Sequence, residues 1–190
     1  MNEIGIIQAQ LAAERAHASE VANACAAVLG SQETAGAARE TTSLFREACV
    51  AYLAWVLARF EERDQTLSEL LASRQSAGNA AAAGARSLAG LIARSGTSRE
   101  ALSRLEAALG AGEAASARER WQEFARFFNS AWAPRRAALE DALAAHLDVA
   151  DWRSVSAIDA DSILEERNRY ARVTSQLPAG IELPRPAGPG

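Results

Sequence analysis

W-Q-E-F-A-R-F-F-N-S-A-W-A-P-R-R-A-A-L-E-D-A-L-A-A-H-L, residues 121–147, is the stretch whose reading decides the fold. Trp121, Phe124, Phe128, Trp132, Leu139, Leu143 and Leu147 recur at three- and four-residue intervals, which draws one apolar stripe along an α-helix. Pro134 falls inside that stripe. Its missing N–H and its ring predict a bend, or a split after Ala133, and the bend is favoured because the apolar spacing continues beyond it. Aromatic residues at this spacing are ordinarily packed core, with a ligand pocket as the rival reading. Phe127 next to Phe128 makes the apolar face too wide for one seam, so a second partner is expected there, either a C-terminal helix or another subunit.

The rest of the chain repeats the same pattern. Ile7, Leu11, Val21, Cys25 and Val28 predict a first helix over Ile4 to Leu29, ended near Gly30. After a turn of small polar residues at 31–36, Phe45, Cys49, Tyr52, Val56, Phe60, Leu67 and Leu71 line a second helix reaching about Arg74. An alanine-rich segment from Ala77 to Ala93 opens a third helix, which Ser95 and Gly96 should break. Thr97 with Glu100 reads as a capping box restarting it, with Leu102, Leu105 and Leu109 on one face. The fourth helix follows Gly110 and Gly112. Asp148 to Trp152 reads as a turn that lays Trp152 over one end, and a last short helix runs from about Ala160 to Val173. Four of the five prolines lie from Pro178 onward, leaving too little to bury. The expectation is an all-α, up-and-down four-helix bundle with an additional C-terminal helix: one domain over residues 1–175, then a Pro/Gly-rich tail over 176–190, irregular or disordered.

Composition removes several function classes. All twenty basic residues are arginine, so lysine Schiff-base chemistry is excluded and the positive charges persist at any ordinary pH. With a net charge of -4 and arginines interleaved among glutamates there is no basic stripe, which argues against nucleic acid. The first ten residues lack the features of a signal peptide, and no apolar run approaches a membrane span, so a cytoplasmic protein without a membrane partner is expected. Cys25 and Cys49 sit in apolar helical contexts and read as small buried hydrophobes. No nucleophile elbow, phosphate loop, Cys-x-x-Cys pair or Ser-His-Asp arrangement occurs, so the reading leans away from an enzyme.

The run A-A-H-L-D-V-A-D-W, Ala144 to Trp152, resembles the end of the hemerythrin-like (HHE) bundle proteins. Tyr52-Leu53 followed by R-F-E-E-R-D, Arg59 to Asp64, is similar to that family's H-x-x-x-E segment, and the likeness extends over about the first 155 residues. The resemblance implies a bundle holding two irons with about five histidines and two bridging carboxylates. This chain has two histidines. His17 fits the slot of the first helix, but Phe60 stands where the second helix should offer a histidine, with Asp64 in the carboxylate slot. Trp132, Arg135 and Arg136 occupy the region of the expected ligands on the fourth helix, and His146 lies further along. The di-iron site is therefore read as lost, and oxygen binding with it, leaving a non-catalytic binding or accessory protein with no cofactor. The alternative is an altered ligand set of Glu14, His17, Glu61 and Asp64 holding iron or another divalent metal for oxygen or redox chemistry. Glu14 and His17 share a helix face, which is half of what di-metal bundles use.

Charges on the inward stripes carry more information. Extending Ile7 and Leu11 brings Glu14 inward; Leu53, Leu57 and Phe60 lead to Asp64; Trp121, Phe124, Phe128 and Trp132 lead to Arg135. Buried charges must pair, reach water or bind a ligand, so Glu14, His17, Phe60, Asp64, Trp132 and Arg135 are the candidate internal charge cluster or ligand site. Arg135, with Arg59 or Arg136, is expected to supply the positive charge that a metal would otherwise supply. The competing reading is that stripe phase drifts over long helices and takes one of the three charges to the surface. A homodimer, a small molecule or another protein remains open as partner.

Overall fold

The computed structural model describes residues 2–30, 37–73, 79–144 and 147–183. It is all-helical, with no strand among these residues. The helices are α1 (Glu3–Gly30), α2 (Ala37–Ser73), α3 (Asn79–Gly110), α4 (Ala114–Phe127), a π-helical turn (Phe128–Trp132), α5 (Ala133–Ala144), α6 (Val149–Ser156) and α7 (Ala160–Ser175). α1 packs on α2 and α4, and α3 packs on the same two helices, so each long helix has two long neighbours. Their apolar stripes meet in one core that includes Leu11, Val21, Phe45, Leu53, Phe60, Trp121, Phe124, Phe128 and Trp132. Trp121 also donates its indole N–H to the Ala22 carbonyl at 2.8 Å, fixing the height of α4 against α1.

The expected break in the third helix is absent. α3 runs unbroken from Asn79 to Gly110, and Thr97 turns its hydroxyl back onto the Ala93 carbonyl at 3.2 Å instead of capping a new start. A Cβ at Gly96 would meet nothing within 4 Å, so this glycine costs helix propensity without forcing a break.

Pro134 acts through the turn before it. Proline cannot donate to the carbonyl one turn back, and the chain responds by widening: Phe128 to Trp132 form a π-helical turn, with the Ala133 N–H donating to the Phe128 carbonyl. Such a turn accommodates one extra residue and rotates everything beyond it. A regular helix starting at Trp121 would complete about four turns near Arg135. With the extra residue, Arg136 takes that inward place.

Asp148 to Trp152 is the start of a helix and not a turn. The Asp148 carboxylate accepts the Asp151 N–H and the Asp151 carboxylate accepts the Asp148 N–H, each at 2.9 Å, a reciprocal cap that opens α6. Trp152 is buried, as expected of a residue covering one end, and α6 packs on α1 and α2. Asp159 and Ser162 cap α7 in the same way. Among the described residues α7 packs on α1 and α2, so it is not the partner of the partly buried Phe127 on α4. Leu177, Ile181 and Leu183 pack against the core beyond α7. The remainder of the proline-rich tail, 184–190, lies outside the described residues.

Candidate functional site: an internal ion-pair network

On α2 the side chains of Phe60, Arg63, Asp64 and Leu67 follow the i, i+3, i+4, i+7 spacing of one helix face, and all four are buried. Two of them are charged, and each finds its partner on another helix. Arg63 grips Glu14 of α1 through both terminal nitrogens, at 2.6 and 3.2 Å, and donates its Nε–H to the Ser156 carbonyl at the end of α6 at 2.7 Å. Asp64 accepts from Arg136 of α5. Arg136 also donates its Nε–H to Glu140 one turn on at 3.1 Å, and Glu140 accepts from Arg15 of α1.

Three arginines thus face three carboxylates inside a cage made by four helices. The charges balance. Phe60 packs against both buried guanidiniums, whose central carbons stand 5.0 Å (Arg63) and 4.9 Å (Arg136) from its ring centre, and the Trp132 and Phe60 rings meet edge to face with centres 4.8 Å apart. The electron-rich ring attracts both cations. Burial first, with the Arg63 and Arg15 charges adding to it and Glu140 opposing, lowers the Arg136 pKa to about 10.

Asp64 Oδ2 and Trp152 Nε1 are buried without a hydrogen-bond partner among the described residues. Trp152 borders a cavity with space for about one water molecule, lined also by Arg63, Arg136, Glu140 and Ser156.

A second polar cluster joins α7 to α1 and α2. The buried Glu166 carboxylate accepts the Tyr52 hydroxyl at 2.8 Å and lies 2.9 Å from His17 Nδ1, which must carry the hydrogen because a carboxylate only accepts. Tyr170 stacks on the His17 ring at 4.3 Å and donates its hydroxyl to Glu20 at 3.0 Å. Desolvation, followed by the Glu166 charge, pushes the Tyr52 phenol far above its ordinary value of 10; desolvation and Glu20 push Tyr170 the same way.

The chain has two tyrosines, so native protein titrated with base should show no phenolate absorbance at pH 10 to 11. Both folded values exceed the unfolded one. Their contribution to stability is complete below about pH 10 and is lost as pH rises above it. Absorbance and circular dichroism recorded together check this: phenolate forming near pH 10 while the helical signal is intact would rule it out.

The sequence-predicted residues divide accordingly. Glu14, Phe60, Asp64 and Trp132 meet in the core. Arg135 does not join them; it is exposed, because the π turn rotates Arg136 inward in its place. Arg59 lies outside the cage, donating to the Ala157 carbonyl at 3.1 Å and resting 5.2 Å from the Trp55 ring centre. His17 belongs to the neighbouring Glu166 cluster, Glu61 pairs with Arg99 at 2.8 Å near the surface, and His146 lies outside the described residues. The alternative metal set of Glu14, His17, Glu61 and Asp64 is thus distributed over four different partners, and no group of three metal-ligating side chains assembles among the described residues. Arg63, Arg15, Glu140 and Glu166 were not among the expected site residues. The Phe60, Arg63, Asp64, Leu67 spacing was the signal for the first, and the four-residue step from Arg136 to Glu140 for the third.

Comparison with protein-family models, with curated proteins and with solved structures gives no match for this chain. Among the described residues no helix is long and apolar enough to cross a membrane.

Proposed function

We propose that the chain is a hemerythrin-like, up-and-down four-helix bundle whose di-iron site has been replaced by internal ion pairs, and that it acts as a non-catalytic binding or accessory protein. In this reading α4, the π turn and α5 together form the fourth helix, and α6 and α7 are additions. The observation that carries it is the pairing of every buried carboxylate in the central cage with an arginine: Glu14 with Arg63, Asp64 with Arg136, and Glu140 with Arg136 and Arg15. A divalent cation drawn to these carboxylates would be repelled by guanidiniums that remain charged at neutral pH. Function then falls to the surface. An open cleft of about 480 Å³ between α1 and the α4 to π-turn region, lined by Asn23, Gln122, Arg126, Asn129 and Ser130, is a concave face available to a small molecule or a protein, and a second copy of the chain is a further partner to consider.

Metal analysis decides between this reading and the altered-ligand metalloprotein. Protein expressed with added iron, manganese and zinc and purified without chelator is expected to contain no stoichiometric metal and to keep its melting temperature in EDTA. A bound equivalent of any of the three, or a drop in melting temperature with chelator, would overturn the proposal.

A further inference from the structure

Gln122, Ala125, Arg126 and Asn129 follow the i, i+3, i+4, i+7 spacing of one face along α4 into the π turn, and Asn23 and Ala26 of α1 line the same cleft. Asn129 donates its amide N–H to Asn23 Oδ1 at 2.7 Å, which ties the two walls together. The bond uses a donor and leaves the acceptor: Asn129 Oδ1 is buried with no hydrogen-bond partner among the described residues. A buried acceptor without a donor costs free energy that the N–H of a ligand would recover. Arg126 is exposed, spends its Nε–H on the Gln122 carbonyl at 3.3 Å and makes no ion pair among the described residues. In a chain of net charge -4 it is the one charged residue among the described residues that line the cleft, whose volume is that of a small-molecule site.

We propose that this cleft binds a small organic carboxylate that also carries an amide N–H, the chemistry of an N-acylated amino acid. The carboxylate pairs with Arg126, the N–H donates to Asn129 Oδ1, and the short apolar part of the ligand lies on the Ala26 and Ala125 methyls. A simple carboxylate would leave the Asn129 oxygen without a donor. A free amino acid fits less well, because its ammonium would be brought close to the Arg126 guanidinium. The assignment rests on the reading of the chain as a binding protein whose function lies at its surface.

N-acetyl-L-alanine titrated into the isotope-labelled full chain, followed by nuclear magnetic resonance of the amide signals, tests it. Saturable shifts are expected around Asn23 and from Gln122 to Ser130, including the Asn23 and Asn129 side-chain amides, with a dissociation constant in the low-millimolar range. Acetate, which lacks the N–H, and N-acetyl-L-alaninamide, which lacks the charge, should each bind at least about tenfold more weakly. Arg126→Gln and Asn129→Leu, both checked for an unchanged helical signal, should weaken binding of the acid to a similar degree. Absence of a saturable shift, shifts confined to other surfaces, or undiminished affinity in Arg126→Gln would overturn the proposal. The metal content of the same sample reports separately on the wider reading: metal-free protein that ignores the acid sinks the cleft assignment alone, and metal-loaded protein that binds it sinks the replaced iron site alone.

Discussion

Arg63→Met is expected to lower the free energy of unfolding by about 3–5 kcal/mol, the usual result of removing one partner of a buried ion pair. Three bonds go with the guanidinium: two to Glu14 and one to the Ser156 carbonyl. Glu14 is only 2 % exposed, so its carboxylate would be left ionised away from water, and the end of α6 would lose its anchor to α2. Methionine fills much of the volume, which confines the loss chiefly to electrostatics and hydrogen bonding. Urea unfolding followed by circular dichroism measures it. Adding Glu14→Gln to Arg63→Met should recover at least half of the loss, since a neutral amide is far cheaper to bury than a carboxylate. A single-variant loss under about 1 kcal/mol, or a double variant no better than the single, would mean that the pair is solvated and the cage open.

The contrast between Arg63 and Arg135 explains how far the sequence could be read. Apolar periodicity located the long helices because Trp121, Phe124, Phe128 and Trp132 are strong markers of one face, and it carried Glu14 and Asp64 inward with them. Arg63 shares the face of Phe60 and Leu67, yet arginine is so rarely buried that its position reads as surface until a partner is known. The partner is Glu14, on another helix, and no local pattern encodes that contact. Arg135 failed for a different reason. Proline signals a disturbance, but a kink, a split and a π turn all relieve the missing N–H, and only the last changes which residue faces inward. The extra residue in the turn is one position, which is the difference between Arg135 and Arg136.

Helix boundaries were lost by similar degeneracy. Ser95-Gly96 and Thr97 with Glu100 form a plausible stop and start, but α3 continues because interruption would expose backbone groups that a continuous helix satisfies, and Gly96 is tolerated at a modest cost. Asp148 to Asp151 is a reciprocal cap made with two aspartates in place of the commoner Ser/Thr and Glu/Gln pairing, so it read as a turn. The His17 cluster was legible only in part. The spacing of Glu14 and His17 pointed to a shared face, whereas the residue that engages the imidazole, Glu166, lies on α7, 149 residues away, where no local spacing points to it.

Replacing the second half of the cage outright is expected to have the opposite sign from breaking it. The Arg136 value near 10 lies below the ordinary guanidinium range, so its charged form is disfavoured in the folded chain even with Asp64 and Glu140 beside it. Stability linked to that proton appears only as pH climbs above about 10; at neutral pH the buried charge works against the fold relative to a neutral side chain. Arg136→Met alone should nevertheless cost about 3–5 kcal/mol, because it strands Asp64 and leaves Glu140 with Arg15 only. The triple replacement Asp64→Leu, Arg136→Met, Glu140→Gln removes both buried charges of the main pair and leaves Arg15, which is partly exposed, an amide acceptor. It should be more stable than the parent by about 1–4 kcal/mol in urea unfolding. A triple variant less stable than the parent by more than about 1 kcal/mol would show that the geometry of the cage outweighs its desolvation, and that these ion pairs hold the four helices together instead of merely selecting their register.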